Sequence, residues 1–204
     1  MATRDDGPGA PRGGRTGLWN ASAAIAAEIA AAVAAIRAIS PLAPRLAVVA
    51  GSGLSALSER LERPVEIAYA DIPGWPRATA PGHPGSLAIG LLGGVPAAVA
   101  RGRAHLYEGY SPEEVVFGIR VLHALGARRL VVTNAAGGLD RALAPGDLLV
   151  IEDHLFLPGL AGANPLRGPN VDALGPRFPG MVDAYDPKLR RLALARAPRA
   201  GLVA

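Results

Sequence analysis

Residues 46–53 read LAVVAGSG, a short apolar run that ends in two glycines flanking a serine. An unbroken apolar run of this length is typical of a strand buried on both faces, as in parallel sheets that are covered by helices. Such strands occur in α/β domains, where ligands collect beyond the carboxyl ends of the strands. The stretch therefore predicts a buried strand that leads directly into a candidate binding loop.

The neighbouring segments carry alternating helix and strand patterns. Ala21–Ile39 has apolar residues at helical spacing and ends at Ser40-Pro41. The residues of this apolar face are Ile25, Ile29, Val33 and Ile36. Two further apolar runs, Leu87–Leu92 and Val95–Ala100, are separated by Gly93-Gly94, a dipeptide that favours a tight hairpin turn. We expect one helix and an antiparallel strand pair from these segments.

The second half of the chain predicts a helix between two strands. Ser111-Pro112-Glu113-Glu114 supplies a capping box, and Gly126 is placed to end the helix that starts there. Leu130–Val132 follows as a strand, in the order that makes a right-handed βαβ unit, and Asp147–Ile151 is one more strand candidate. The predicted fold is a single α/β domain with a mostly buried, mixed β-sheet flanked by helices.

Composition excludes several classes of protein. With 204 residues, half of them apolar, the chain is long enough for one globular domain. The absence of cysteine excludes a disulfide framework, a thiol nucleophile and a thiolate metal site. No apolar run approaches the ~18 residues of a membrane span, because Glu28 and Arg37 interrupt the most apolar stretch. That stretch also makes a poor secretory signal, so we expect a cytoplasmic protein without a membrane association.

The positive charge of the chain lies near its end. The formal net charge is +4, and the segment 186–204 carries five basic residues and one acidic residue. No basic stripe with interleaved aromatic residues is present, so we expect no nucleic-acid binding. We divide the chain into a disordered tail over 1–17, an α/β domain over 18–194 and a basic tail over 195–204.

Three glycine-containing polar segments follow predicted strands, at 51–53, 101–105 and 133–138. Together they offer backbone N–H groups, a hydroxyl, a guanidinium and an imidazole, which is the donor set that a phosphate requires. Taken singly, each is a weak signal, because the segments at 51–53 and 101–105 are more often ordinary turns, surface segments or core. His83, between prolines and glycines, suits either a mobile lid or an inert turn, and we interpret His123 and His154 as structural.

In order and spacing, these segments resemble one known family over about residues 46–194. The matching blocks are Ala50-Gly51-Ser52-Gly53-Leu54, Ile72-Pro73-Gly74-Trp75-Pro76, Pro81-Gly82-His83-Pro84-Gly85, 102–110 (GRAHLYEGY), 132–139 (VTNAAGGL), 164–170 (NPLRGPN), Arg177-Phe178-Pro179 and Asp183-Ala184-Tyr185-Asp186. The chain resembles the trimeric purine nucleoside phosphorylases, a family that also contains the methylthioadenosine phosphorylases.

The resemblance implies a reversible reaction of purine (2′-deoxy)ribonucleosides with inorganic phosphate, giving free purine and (deoxy)ribose 1-phosphate. It implies a homotrimer that needs no metal or organic cofactor, since inorganic phosphate is a co-substrate. The residues that it assigns to phosphate are Ser52, His83, Arg103, His105 and the Ala135 backbone, with Arg103 and His105 as the catalytic residues. It assigns Tyr107 to the ribose and Asn134 to the part of the site between phosphate and ribose. It assigns Phe178 to the sugar in the site of a neighbouring subunit.

The resemblance ends before the part of the family that grips the purine. The late glutamate and asparagine that hold the base, and a second phosphate serine, have no counterpart in this sequence. Residues 195–204 match nothing in the family pattern, so we expect a C-terminally incomplete domain with exposed strand edges and apolar surface. Two alternatives stay open: a catalytically impaired homologue that retains only phosphate binding, and a methylthioadenosine phosphorylase. The sequence Tyr107-Glu108-Gly109-Tyr110 is more similar to the purine nucleoside enzymes.

Overall fold

The computed structural model describes residues 15–51, 54–77, 85–200 and 202–203. In these residues, helices and strands alternate along the first two thirds of the chain. The helices are α1 (Arg15–Ile39), α2 (Pro112–Val115), α3 (Phe117–Leu125), α4 (Leu157–Leu160) and α5 (Pro187–Ala200). The strands are β1 (Leu46–Ala50), β2 (Glu62–Ala68), β3 (Ser86–Leu92), β4 (Val95–Arg101), β5 (Arg129–Val132), β6 (Leu148–Leu149) and β7 (Leu202–Val203). No helix in the described part of the chain is both long enough and apolar enough to cross a bilayer.

Five strands form a mixed sheet in the order β2-β3-β4-β1-β5. Strand β1 pairs in parallel with both β4 and β5, whereas β2, β3 and β4 pair antiparallel. Ala50 is in register with Arg101, and Val49 with Val132. The carboxyl ends of three strands therefore meet at one edge of the sheet, and the α/β class with a mixed sheet is confirmed.

The larger part of the core lies between the sheet and two helices. Ile29 and Ile36 of α1 and Val121 and Leu125 of α3 are buried in one cluster with Val49 and other sheet residues. The predicted apolar face of α1 is confirmed, because Val33 is buried as well and Ile25 packs against the same cluster. Burial of each such side chain is worth roughly 1.5–3 kcal/mol, so this layer holds the helices on the sheet. A smaller cluster, centred on Val48 and Val99, fills the opposite face.

The predicted hairpin between β3 and β4 is confirmed at its turn. Leu92 pairs with Val95, so the turn consists of Gly93 and Gly94 alone. Both glycines have positive φ, at 55° and 76°. A two-residue turn of this kind matches the twist of the strands, and residues with a Cβ are strained in it.

The capping box at Ser111 is also confirmed. The backbone N–H of Glu114 donates to Ser111 Oγ, and the N–H of Ser111 donates to Glu114 Oε2 at 2.7 Å. The single helix predicted after it is wrong in one respect, since Val116 (φ −90°, ψ −2°) separates α2 from α3. Consecutive β-branched residues, Val115 and Val116, lower helix propensity at this point. The helix ends at Gly126 as predicted, with φ +127°.

The structure differs from the sequence prediction at one strand and at the first tail, and it places a helix at the second tail. The strand predicted over 147–151 is reduced to β6, which pairs with β7 outside the main sheet. Its two leucines are exposed, so no core contact draws this segment into the five-stranded sheet. Helix α1 begins at Arg15, inside the segment predicted as a tail, and residues 1–14 lie outside the described residues. Helix α5 continues through the start of the predicted basic tail.

Strand β5 forms one edge of the sheet and is poorly covered. Leu130, Val131 and Val132 are each more than 40% exposed, although side chains alternate between the two faces of a strand. An apolar edge strand normally pairs with a further strand or is covered by another element. The exposed strand edge and apolar surface expected from the sequence are therefore present at β5.

Candidate phosphate site at the edge of the sheet

The ends of β1, β4 and β5 bring together the three polar segments that the sequence singles out. The backbone N–H of Gly51 donates to Thr133 Oγ1 at 2.8 Å, and the N–H of Thr133 donates to the carbonyl of Val49 at 3.0 Å. On the other side of β1, the N–H of Gly102 donates to the carbonyl of Ala50 at 3.3 Å. Parallel pairing thus places backbone groups from three distant segments side by side, as ligand sites in α/β sheets require.

Gly51 can lie this close to Thr133 because it has no side chain. A Cβ at this position would come within 2.6 Å of the Thr133 carbonyl oxygen. Nearby, Gly102 adopts φ +96°, a conformation that favours glycine. The buried Tyr69 donates its hydroxyl to the Gly102 carbonyl at 2.7 Å, and burial raises the pKa of Tyr69 above its usual value. These contacts fix the backbone just before Arg103.

Arg103 reaches from β4 across the end of β1 to β5. Its Nη1 donates to the Thr133 carbonyl at 2.6 Å. The side chain is half-buried, and this burial lowers the pKa of the guanidinium while Tyr107 partly opposes the shift. A guanidinium remains charged under such conditions, and a half-buried positive charge next to a neutral carbonyl favours an anionic partner.

His105 follows two residues later and is held by Glu108. Nδ1 of His105 lies 2.8 Å from Glu108 Oε1, and the same oxygen accepts the backbone N–H of His105 at 2.8 Å. The ring of Tyr107 stacks on the imidazole with centroids 4.8 Å apart and planes inclined by 18°. Arg103, His105 and Tyr107 therefore lie together in one short segment, on the side of the sheet where β1, β4 and β5 end.

The remaining predicted site residues are placed less completely. Asn134 and Ala135 follow Thr133 on an exposed segment, where Asn134 Nδ2 donates to the Ala135 carbonyl at 3.3 Å. Ser52 and His83 lie outside the described residues. Phe178 is 86% exposed, and the guanidinium carbon of Arg177 lies 5.8 Å from the centroid of its ring.

Phe178 lines a cavity of about 700 Å³ between α2 and the segment 154–181. Leu106, the residue after His105, lines the same cavity. The cavity wall is largely apolar, as is common in small-molecule pockets.

The two histidines interpreted as structural each have a polar partner. His123 Nδ1 lies 3.4 Å from Arg128 Nη1, and His154 Nδ1 lies 3.1 Å from the Tyr185 hydroxyl. The ring of His154 meets that of Tyr185 edge-on. Sequence reasoning found no partner for His154, because Tyr185 is 31 residues away.

Three residues that shape the site were not assigned to it from the sequence. Glu108 could have been found, since a carboxylate three residues after a histidine lies within reach of it on a helical turn. Tyr69 and Thr133 act over separations of 33 and 82 residues, to Gly102 and Gly51 respectively, and no local pattern signals such contacts. In the part of the chain that the structure describes, no three His, Asp or Glu side chains gather as metal ligands would.

Known proteins share this sequence and fold. The "Purine nucleoside phosphorylase" of Rattus norvegicus is 49% identical over 149 residues, which cover 73% of this chain and 52% of that protein. The crystal structure of isoform 2 of purine nucleoside phosphorylase from Schistosoma mansoni, in complex with cytosine and ribose-1-phosphate, has a TM-score of 0.79 at 42% identity. It covers 86% of this chain and 61% of the solved chain.

A further Schistosoma mansoni purine nucleoside phosphorylase, in complex with inosine, has a TM-score of 0.80 at 40% identity over 86% of this chain and 62% of the solved one. The chain spans about half the length of the curated relatives that it matches. The sequence model of the Phosphorylase superfamily matches residues 45–204, a range that includes residues 195–204. On this match, which takes in the whole sheet and every described residue of the site, the chain belongs to the Phosphorylase superfamily.

Proposed function

We propose that this chain carries the phosphate-binding half of a purine nucleoside phosphorylase. The observation that supports this most directly is the half-buried guanidinium of Arg103, held against Thr133 between two glycine-rich segments. The imidazole of His105 lies two residues further along the same segment. A guanidinium and an imidazole together suit the acceptor oxygens of a phosphate dianion. The names and ligands of the similar proteins, ribose-1-phosphate and inosine among them, agree with this assignment.

The proposed reaction is the reversible phosphorolysis of purine (deoxy)ribonucleosides to free purine and (deoxy)ribose 1-phosphate. The glycosidic bond breaks as positive charge develops on the sugar, and the bond from phosphate oxygen to C1′ forms. A phosphate dianion held below C1′ stabilises that charge and is already positioned to attack. Arg103 and His105 would hold the dianion, together with Ser52, His83 and the Ala135 backbone. Tyr107, Asn134 and a neighbouring subunit's Phe178 would face the nucleoside.

The remaining parts of the proposal follow from the same resemblance. The protein would be a cytoplasmic homotrimer that acts in purine salvage, without a metal or an organic cofactor. The residues that would grip the base have no assigned counterpart in this chain. Two alternatives therefore stand beside the main proposal: a homologue that binds phosphate without turnover, and a methylthioadenosine phosphorylase, which shares the phosphate segments.

Two measurements on the 204-residue chain separate these proposals. The first is calorimetric binding of inorganic phosphate; the second is release of free base from inosine, guanosine and methylthioadenosine in the presence of phosphate. Phosphate binding with turnover of inosine or guanosine supports the main proposal, and turnover of methylthioadenosine alone supports the other enzyme. Phosphate binding without turnover supports the impaired homologue. No binding at millimolar phosphate contradicts the shared assignment of Arg103 and His105.

A further inference from the structure

Thr133, directly after β5, contacts the segments that follow β1 and β4. Towards β1, its Oγ1 accepts the backbone N–H of Gly51 at 2.8 Å and lies 3.4 Å from the Val49 carbonyl. Its own N–H donates to the same Val49 carbonyl at 3.0 Å. Towards β4, its carbonyl accepts Nη1 of Arg103 at 2.6 Å. One residue thus joins the loop after β1 to the guanidinium that follows β4.

The chemistry of threonine suits this position. A hydroxyl accepts and donates hydrogen bonds at once, so Oγ1 can take the Gly51 N–H and face the Val49 carbonyl. The branched side chain fits the end of a strand. Valine has the same shape but no acceptor, so it would leave the Gly51 N–H without this partner. Serine would keep the acceptor and lose only a methyl group.

The contact to Arg103 determines the direction of its guanidinium. The five N–H donors of a guanidinium lie in one plane, so fixing Nη1 on the Thr133 carbonyl orients the others. Because Gly51 has no Cβ, its backbone can approach the Thr133 carbonyl closely. The placement of Gly51 relative to Arg103 therefore depends on Thr133.

We propose that Thr133 is a positioning residue for phosphate: its hydroxyl holds the Gly51 backbone at the end of β1, and its carbonyl holds the Arg103 guanidinium. Thr133 itself need not touch the ion. This inference rests on the proposed function, because it assumes that the loop and Arg103 bind phosphate. The inference adds Thr133 to the proposed phosphate site as a residue that acts through Gly51 and Arg103.

The test compares three variants of the 204-residue chain. Thr133→Val removes the hydroxyl, Thr133→Ser retains it, and Val65→Ala is a control for general destabilisation. Val65 packs against the core from β2, at the opposite edge of the sheet, and is not part of the site. Each protein is titrated with inorganic phosphate by calorimetry, and its thermal unfolding midpoint is measured without phosphate. Hydrogen exchange at the Gly51 amide is measured by NMR.

We expect Thr133→Val to weaken phosphate binding by about fivefold or more and to speed exchange of the Gly51 amide, because one hydrogen bond in the site is lost. Thr133→Ser should stay within about twofold of the wild-type affinity, and Val65→Ala should lower the unfolding midpoint without changing phosphate affinity.

The positioning role would be overturned if Thr133→Val bound phosphate as tightly as the wild type, or if Val65→Ala lost as much phosphate affinity as Thr133→Val. Either result would leave the proposed function intact. Unchanged Gly51 exchange in Thr133→Val would overturn it independently of phosphate. If the wild-type chain binds no phosphate at all, the proposed function fails and the positioning role fails with it.

Discussion

The imidazole of His105 and the carboxylate of Glu108 form a pair in which one oxygen serves two donors. Glu108 Oε1 lies 2.8 Å from His105 Nδ1 and also 2.8 Å from the backbone nitrogen of His105. The Glu108 side chain is only 5% exposed, against 22% for His105. A carboxylate at Nδ1 favours a hydrogen on that nitrogen and fixes the orientation of the ring. Glu108 thus acts on the site through His105.

Replacing Glu108 with Gln should weaken phosphate binding by about tenfold. Glutamine keeps the size of the side chain but removes its charge, and charge-assisted hydrogen bonds are worth roughly 1.5–3 kcal/mol. Calorimetric titration with phosphate measures the effect. Glu113→Gln, a partly exposed carboxylate on α2, is the matched control and should bind like the wild type. Equal phosphate affinities for the wild type, Glu108→Gln and Glu113→Gln would show that Glu108 does not contribute to phosphate binding.

Arg103→Ala should reduce phosphate affinity more than any other single change in this chain, by at least about tenfold. The change removes a permanently charged, two-pronged donor from a dianion. Arg101→Ala is the control, because it removes the same charge two residues away. Arg101 is paired with Glu66 rather than with the site. A similar loss in both variants would show that net charge, not the position of Arg103, determines the affinity.

Phe178→Ala should leave the stability of the chain within about 0.5 kcal/mol of wild type, since the side chain is 86% exposed. Phe117→Ala, at a buried position in α3, should cost about 3–5 kcal/mol of unfolding free energy in the same denaturant titration. If Phe178 faces the sugar, its replacement should also weaken ribose 1-phosphate binding and leave inorganic phosphate binding unchanged. Equal losses for both ligands would contradict a sugar contact.

Mixed assemblies test whether Phe178 serves its own chain or a neighbour. Subunits with Phe178→Ala, mixed with subunits carrying Arg103→Ala, should regain some ribose 1-phosphate binding. Each defect would lie in a different partner of a shared site, so some interfaces would combine an intact Arg103 with an intact Phe178. No recovered binding, in mixtures shown by native mass spectrometry to contain both subunits in one assembly, would place both residues in the same chain's pocket.

The stability of the fold should fall in acid partly because of Glu66. A hydrogen bond from Ser86 lowers the pKa of Glu66, with Arg101 acting in the same direction and burial against it. Because the folded pKa lies below the ordinary value of 4.5, this stabilisation is present above that pH and is lost as pH falls through the folded pKa. Denaturant titrations of Glu66→Gln should therefore show a weaker loss of stability in acid.

Glu62→Gln is the control for that experiment, because Glu62 is an exposed carboxylate on the same strand. It should follow the wild-type dependence on pH. If Glu66→Gln loses stability in acid as steeply as the wild type does, the contacts with Ser86 and Arg101 do not contribute to it.

The sequence predicts those parts of the fold that depend on interactions between residues close together in the chain. The Gly93-Gly94 turn, the Ser111 cap and the end of α3 at Gly126 each depend on φ angles or hydrogen bonds within a few residues. The apolar face of α1 follows from helical spacing alone. The clustering of Arg103, His105 and Tyr107 follows from their proximity in the chain. The break at Val116 was not predicted, because helical periodicity continues through it.

By itself, the sequence determined α1, β1, the hairpin of β3 and β4, the capped start of α2, the end of α3, β5 and the donor groups available for an anion; β2, α4 and α5 were not predicted. Tertiary structure decided which strands are neighbours: β1 lies between β4 and β5, which brings Gly51, Arg103 and Thr133 together. It also decided that the segment at 147–151 stays outside the main sheet and that Tyr69 supports Gly102. Contacts such as that from Thr133 to Gly51, 82 residues apart, form only when the strands pair, because strand pairing depends on packing of the whole sheet and not on neighbouring residues.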